Sequence, residues 1–231
     1  MCSTPYTINV LQGPNTKQGT KDLEAAFARR SMMLVRRLLG EDGLIDLLRE
    51  ETAASDSYWR TITAESNGDW KAARIVLSLR GLTSKDFVNW FLPAEGGMLP
   101  EQEKLAAHPE HWVVRPGAGP KTMTVLETLG EHPTLFSLVF DVARASFTED
   151  DPTFATKMTA RGFIEGGVQI MELYHQFKNH ADAQGFDVDL AIYFPAASGE
   201  DVVECHRQHL LVEFSNWFKQ AIEAKRAATL N

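Results

Sequence analysis

The chain has 231 residues, 44% of them hydrophobic and 23% charged, the make-up of a globular protein and not of a disordered one. Its 31 Asp and Glu outnumber its 23 Lys and Arg, for a formal net charge of -8. That balance excludes a general affinity for nucleic acid or an anionic membrane surface, which needs clustered positive charge. Two cysteines, Cys2 and Cys205, are too few for a disulfide framework or a Cys-rich zinc site.

The first residues, MCSTPYTINV, lack the basic and then apolar pattern of a secretory signal, and no run of about 18 apolar residues occurs. A cytoplasmic protein with no membrane span is expected. Residues 1–20 are rich in Thr, Gly, Asn, Gln and Pro and read as a loose arm. From Asp22 onward Leu23, Phe27, Met33 and Leu34 recur near the helical period, and Gly40 ends the helix. A second, short helix is predicted over 44–51, with Ile45 and Leu48 on one face. Both fall in a helical extension over about 21–70, whose apolar residues can support a homodimer.

ARIVLSLR at 73–80 is a strand, and Thr83 or Ser84 caps a helix that runs through Phe91. Pro93, Gly96, Gly97 and Pro100 mark 92–107 as a loop or lid. A short strand at 112–115 is followed by five more, at 122–128, 134–142, 155–164, 168–177 and 186–194. A long amphipathic helix from Gly199 to about Ala227 closes the chain. Helices first, then a meander of strands, then one long helix predict a single α+β domain over 21–231. Its antiparallel sheet wraps around the C-terminal helix and leaves a cavity suited to a small apolar or aromatic ligand.

The terminal helix carries the strongest chemical signal. Steps of three and four put Val202, His206, His209, Glu213 and Trp217 on one face. His209 and Glu213 therefore present an imidazole and a carboxylate one helical turn apart, a geometry that suits one divalent cation and equally suits a plain ion pair. His206 reads as a competing ligand or a core residue. In TMTVLET, Met123, Val125 and Glu127 share one strand face, and the sequence does not decide whether that face looks at the helix. A further pair of histidines stands in His108-Pro109-Glu110-His111. There is no G-x-S-x-G elbow, no G-x-G-x-x-G and no Walker A loop, which argues against serine-hydrolase, nicotinamide and nucleotide-triphosphate chemistry.

Six stretches in order resemble the 2,4-diacetylphloroglucinol hydrolase family, which includes the phloretin hydrolases. They are GLTSKDFVNWF at 81–91, AHPEHWVV at 107–114, TVLETLG at 124–130, LYHQF at 173–177, LAIYFP at 190–195 and HRQHLLVEFSNWF at 206–218. The resemblance implies a Bet v 1-like helix-grip fold and one Zn2+ held by two His and two Glu. Carried over residue by residue, those ligands are His111 (taken ahead of His108), Glu127, His209 and Glu213. It also implies that His175 beside Gln176 is the acid/base residue and that Tyr193 hydrogen-bonds substrate. Two departures stand out: HPEH is one residue shorter than the family's HPxDH, and 92–107 contains no Tyr. The implied reaction is hydrolysis of the C–C bond between a phloroglucinol-like ring and an acyl group of a small aromatic ketone or polyketide, with Trp90, Phe140, Phe177 and Trp217 as walls. The alternative is a metal-free helix-grip protein that binds a hydrophobic ligand or cyclises a polyketide.

Overall fold

In the computed structural model, which describes residues 19–92 and 100–229, helix α1 (Thr20–Leu47) precedes α2 (Arg49–Glu65). Gly40 interrupts α1 with φ 65 and ψ 177, at the position where the sequence stops the helix. Helix α2 runs on past the predicted end at residue 51. It buries only Ser55 and Trp59, too sparse a stripe to register as a periodic pattern. The expected N-terminal arm lies outside the described residues except at its last two positions. The chain divides into two compact units, Met1–Leu38 and Leu39–Asn231, and the second holds everything below.

Seven strands follow: β1 (Trp70–Arg80), β2 (His111–Pro116), β3 (Thr122–Leu129), β4 (His132–Phe140), β5 (Thr156–Ile164), β6 (Val168–Asn179) and β7 (Gly185–Pro195). All neighbours are antiparallel, in the order β1-β7-β6-β5-β4-β3-β2. The meander from β2 to β7 is closed by β1 on the far edge, and the terminal helix α5 (Glu200–Thr229) packs on the inner face through Val203, Leu210, Phe214 and Phe218. This is the helix-grip, Bet v 1-like architecture. No helix among the described residues is long and apolar enough to cross a membrane.

Two short helices join β1 to β2. In α3 (Ser84–Phe91) the Thr83 side chain accepts from Asp86 N–H while the Asp86 carboxylate accepts from Thr83 N–H, a reciprocal cap that starts the helix. Helix α4 (Glu101–Ala107) replaces the second half of the predicted loop. Pro100 opens it, and EQEKLAA is made of good helix formers, which the Pro and Gly of the preceding stretch outweighed in the sequence reading.

Strand parity decides what each face does. On β7, Leu190, Ile192 and Phe194 point into the core while Ala191 and Tyr193 cluster with Tyr174 on the outer face. That outer face is covered by the β4–β5 connection. Ala145 N–H donates to Glu172, Glu149 N–H to the Tyr193 hydroxyl, and Asp151 N–H to Gln176 Oε1. Glu172 and Gln176 are thereby buried yet satisfied, and buried Asp189 accepts from Arg74 and from Gln176 Nε2, since buried polar groups must be paired.

One glycine sets the position of α5. Gly130, in the β3–β4 turn, has φ +66, and a Cβ there would stand 2.9 Å from Val202 Cγ2 in the first turns of α5. Gly130→Ala combines left-handed backbone strain with a steric push on that helix. It is expected to cost about 1–3 kcal/mol, read as a lowered midpoint in chemical denaturation with an unchanged slope.

Candidate functional site

The site begins with a bulge. His111 on β2 pairs directly with Glu127 on β3, but Val113 pairs with Leu126, so Trp112 is an extra residue. An extra residue shifts the alternation by one. His111 and Val114 thus both face inward, whereas Val113 packs on the outer face against Leu44 and Leu126. On β3 the face left open by the sequence is the inner one: Met123, Val125 and Glu127 all line the cavity under α5. His209 and Glu213 project from α5 into the same space.

Four of the singled-out side chains therefore converge. His111 Nε2 lies 3.1 Å from His209 Nε2, 3.3 Å from Glu213 Oε1 and 3.6 Å from Glu127 Oε2. The other ring nitrogen, His111 Nδ1, donates to the backbone carbonyl of Lys104 in α4 at 2.9 Å. A carbonyl only accepts, so Nδ1 carries the proton and Nε2 of the neutral ring offers its lone pair to the cluster. Helix α4 is tied to α5 in turn, through Asn216 Nδ2 donating to Ala107 O at 2.8 Å.

His108 joins this group. Donor atoms of His108, His111 and His209 all lie within 4.8 Å of one another, and the His108 ring stacks on His209 with centroids 3.8 Å apart. The sequence posed His108 and His111 as alternatives; the fold brings both to His209. The i, i+3 spacing in HPEH is the signal that carried this. The carbonyl of Lys104 had no signal in sequence, because α4 was read as loop.

The electrostatics are those of a site short of positive charge. Burial pushes the Glu127 carboxyl up to about 7; His111 opposes this, and the nearby Glu213 and Glu110 add to it. Burial by itself would lower His111, but the Glu213 and Glu127 carboxylates and the Lys104 carbonyl outweigh it and hold the imidazole above its usual value. Burial holds His209 well below its usual value, with His206, His111 and His108 adding to the effect. Its Nδ1 has no hydrogen-bond partner among the described residues.

The cavity itself is about 80 Å³ and largely apolar, with Phe136, Phe140, Phe214 and three methionines (Met123, Met158, Met171) on its walls. That volume holds a few waters. Room for a ring-sized ligand would require side chains to move, and methionines are suited to moving. Of the four aromatic walls expected, Phe140 and Trp217 line the cavity. Phe177 and Trp90 instead pack against Phe87.

His175 also lines the cavity, edge-on to Phe214 at 5.1 Å. Its Nδ1 accepts from Ala191 N–H at 3.3 Å. Tyr193 does not share that space. It is the outward neighbour of Ile192, and its hydroxyl accepts from Glu149 N–H beneath the β4–β5 connection, so the substrate contact implied for Tyr193 does not fit its place in the fold. Gln176 is likewise on the outer face, donating to Asp189 Oδ2 at 3.1 Å and to Glu149 O. Adjacent strand residues point to opposite sides, so a His175-Gln176 pair cannot face one ligand.

Burial, and secondarily His206, holds His175 at about 3, with the Tyr174 backbone working weakly the other way. The unfolded chain then binds a proton that the folded chain does not between about pH 6.5 and 3. In that window stability falls as pH falls, by about 1.4 kcal/mol per pH unit for one such group. His175→Gln is expected to flatten the acid limb of the stability profile by close to one proton, measured by denaturant titrations at pH 6.5, 5.5 and 4.5.

No family model matches the chain, and no curated protein does. Among solved structures, the crystal structure of Ara h 8.0201 matches with a TM-score of 0.45 and 11% identity, covering 67% of this chain and 99% of that one.

Proposed function

We propose that this helix-grip protein binds a small aromatic molecule in its inner cavity beside a divalent cation, and that with zinc bound it hydrolyses the C–C bond between an aromatic ring and an acyl group. One observation carries the cation. The Lys104 carbonyl fixes the His111 tautomer, so its Nε2 faces a second imidazole nitrogen and two carboxylate oxygens in a buried space. The separations of 3.1–3.6 Å from His111 Nε2 to the other three atoms are those of neighbouring ligands of one tetrahedral ion with bonds of about 2 Å. The donor set is all imidazole and carboxylate, which suits zinc.

His111, Glu127, His209 and Glu213 would hold the ion, with His108 against them. Bound zinc supplies Lewis acidity toward a carbonyl oxygen. The rest is the work of the chain. Phe136, Phe140 and Phe214 flank a flat ring and exclude bulk water. His175, neutral at pH 7, takes the proton of its ring at Nε2 when Nδ1 accepts from Ala191 N–H, and so presents a hydrogen-bond donor to a ring hydroxyl or carbonyl. In the overall reaction water gives its hydroxyl to the acyl carbon and a proton to the ring carbon. The products are a free carboxylic acid and the deacylated ring.

A metal-free reading has its own support. His111 held above its usual value pairs with Glu213 and Glu127 as an imidazolium, which balances the cluster with a proton in place of an ion. The apolar, methionine-rich walls then serve a binding cup. Zinc-loaded protein incubated with 2′,4′,6′-trihydroxyacetophenone separates the two. Stoichiometric release of acetate supports the hydrolase, whereas binding of the ketone with no acetate released by protein that takes up no zinc supports the cup.

A further inference from the structure

Beyond the side chains proposed to hold the ion, the cavity wall carries a donor with no partner among the described residues. Trp217 is 7% exposed and lines the cavity, and its indole Nε1 has no hydrogen-bond partner among the described residues. Its ring is pinned edge-on by Phe91 at 4.7 Å and Phe214 at 5.1 Å, and its other neighbour is the His111 ring at 6.2 Å. An indole N–H can only donate, and buried donors in native proteins are almost always paired. Among the described residues no acceptor stands ready for it, and a ligand in the cavity can supply one.

We propose that Trp217 Nε1 donates a hydrogen bond to an oxygen of the cavity ligand and so selects for an oxygenated aromatic over a plain hydrocarbon. Trp217 stands one helical turn beyond Glu213 and two beyond His209 on the same stripe of α5. The ligand oxygen it holds lies about one helical pitch, ~5 Å, from the one nearest the His/Glu cluster. A ring that carries hydroxyls on alternate carbons, in a 1,3 relation, has oxygens at that order of separation. An ammonium group at this point would leave the N–H unsatisfied and is selected against. The inference takes from the proposed function only that the cavity binds a small aromatic molecule; it does not depend on the cation.

The test uses 15N-labelled full-length protein. The Trp217 indole cross-peak is identified as the one lost in both Trp217→Phe and Trp217→Tyr. It is expected to shift when 2′,4′,6′-trihydroxyacetophenone is added to wild type and to stay in place with ethylbenzene. Trp217→Phe is expected to bind the trihydroxy ketone about fivefold to tenfold more weakly, the size of one hydrogen bond, with ethylbenzene affinity and zinc content unchanged. A cross-peak unmoved by the ketone, an equal loss for both probes, or wild-type protein that binds neither overturns the inference. If the peak shifts in protein that takes up no zinc, the hydrogen bond stands and the cation reading fails.

Discussion

His111→Ala is expected to abolish high-affinity zinc binding, with a loss larger than the roughly 10–100-fold that removal of an outer-shell partner costs. His111 is the hub of the cluster: His209, Glu213 and Glu127 each approach its Nε2, and it alone is oriented by a backbone carbonyl. The substitution also leaves two buried carboxylates with less positive charge near them. Breaking a buried charge pair from one side costs about 3–5 kcal/mol, and proton uptake by Glu127, whose carboxyl already sits at about 7, offsets part of it. The metal-free variant is therefore expected to be less stable than metal-free wild type at pH 8 and closer to it at pH 6. Zinc titration followed by competition with a chromophoric chelator, and urea unfolding at both pH values, check the two halves separately.

Phe87→Ala is expected to be the largest pure packing loss. Phe87 is fully buried and stands 4.9 Å from Phe218, 5.9 Å from Phe91 and 5.9 Å from Phe177, centroid to centroid. It is the residue by which α3 locks onto α5 and the inner face of β6 and β7. Truncation removes the ring's transfer free energy and leaves a void among neighbours that cannot collapse. The cost is about 3–5 kcal/mol, or a fall in Tm of about 10 °C for a chain of this size. Phe87→Leu, which keeps most of the volume, costs less. Zinc affinity of the folded variant should be close to wild type, because Phe87 does not line the cavity that the four proposed ligands share. Calorimetry with and without zinc makes that comparison.

Periodicity made most of the fold legible. Residue runs bounded by turn punctuation marked all seven strands, and the three-four spacing of Val202, His206, His209, Glu213 and Trp217 correctly described one inward stripe of α5. Features that depend on one residue or on a partner far away were not legible. The bulge at Trp112 leaves no mark in HWVVRP, yet it decides that His111 looks inward. Helix α4 was hidden by the Pro and Gly before it, and with it the carbonyl that orients His111. Tyr193 shows the opposite failure. Its identity drew attention, but its parity on β7, opposite to Ile192, puts the hydroxyl under the β4–β5 connection. Residue type located the chemistry, and strand register decided which side chains can meet.

The most direct test of the account is an anomalous difference map at the zinc edge from crystals of the protein grown with one equivalent of zinc. The account predicts a single strong peak per chain, within bonding distance of His111 Nε2 and His209 and in contact with the carboxylates of Glu127 and Glu213. No peak, or a peak held elsewhere on the surface while His111 stays paired with the two glutamates, would contradict it.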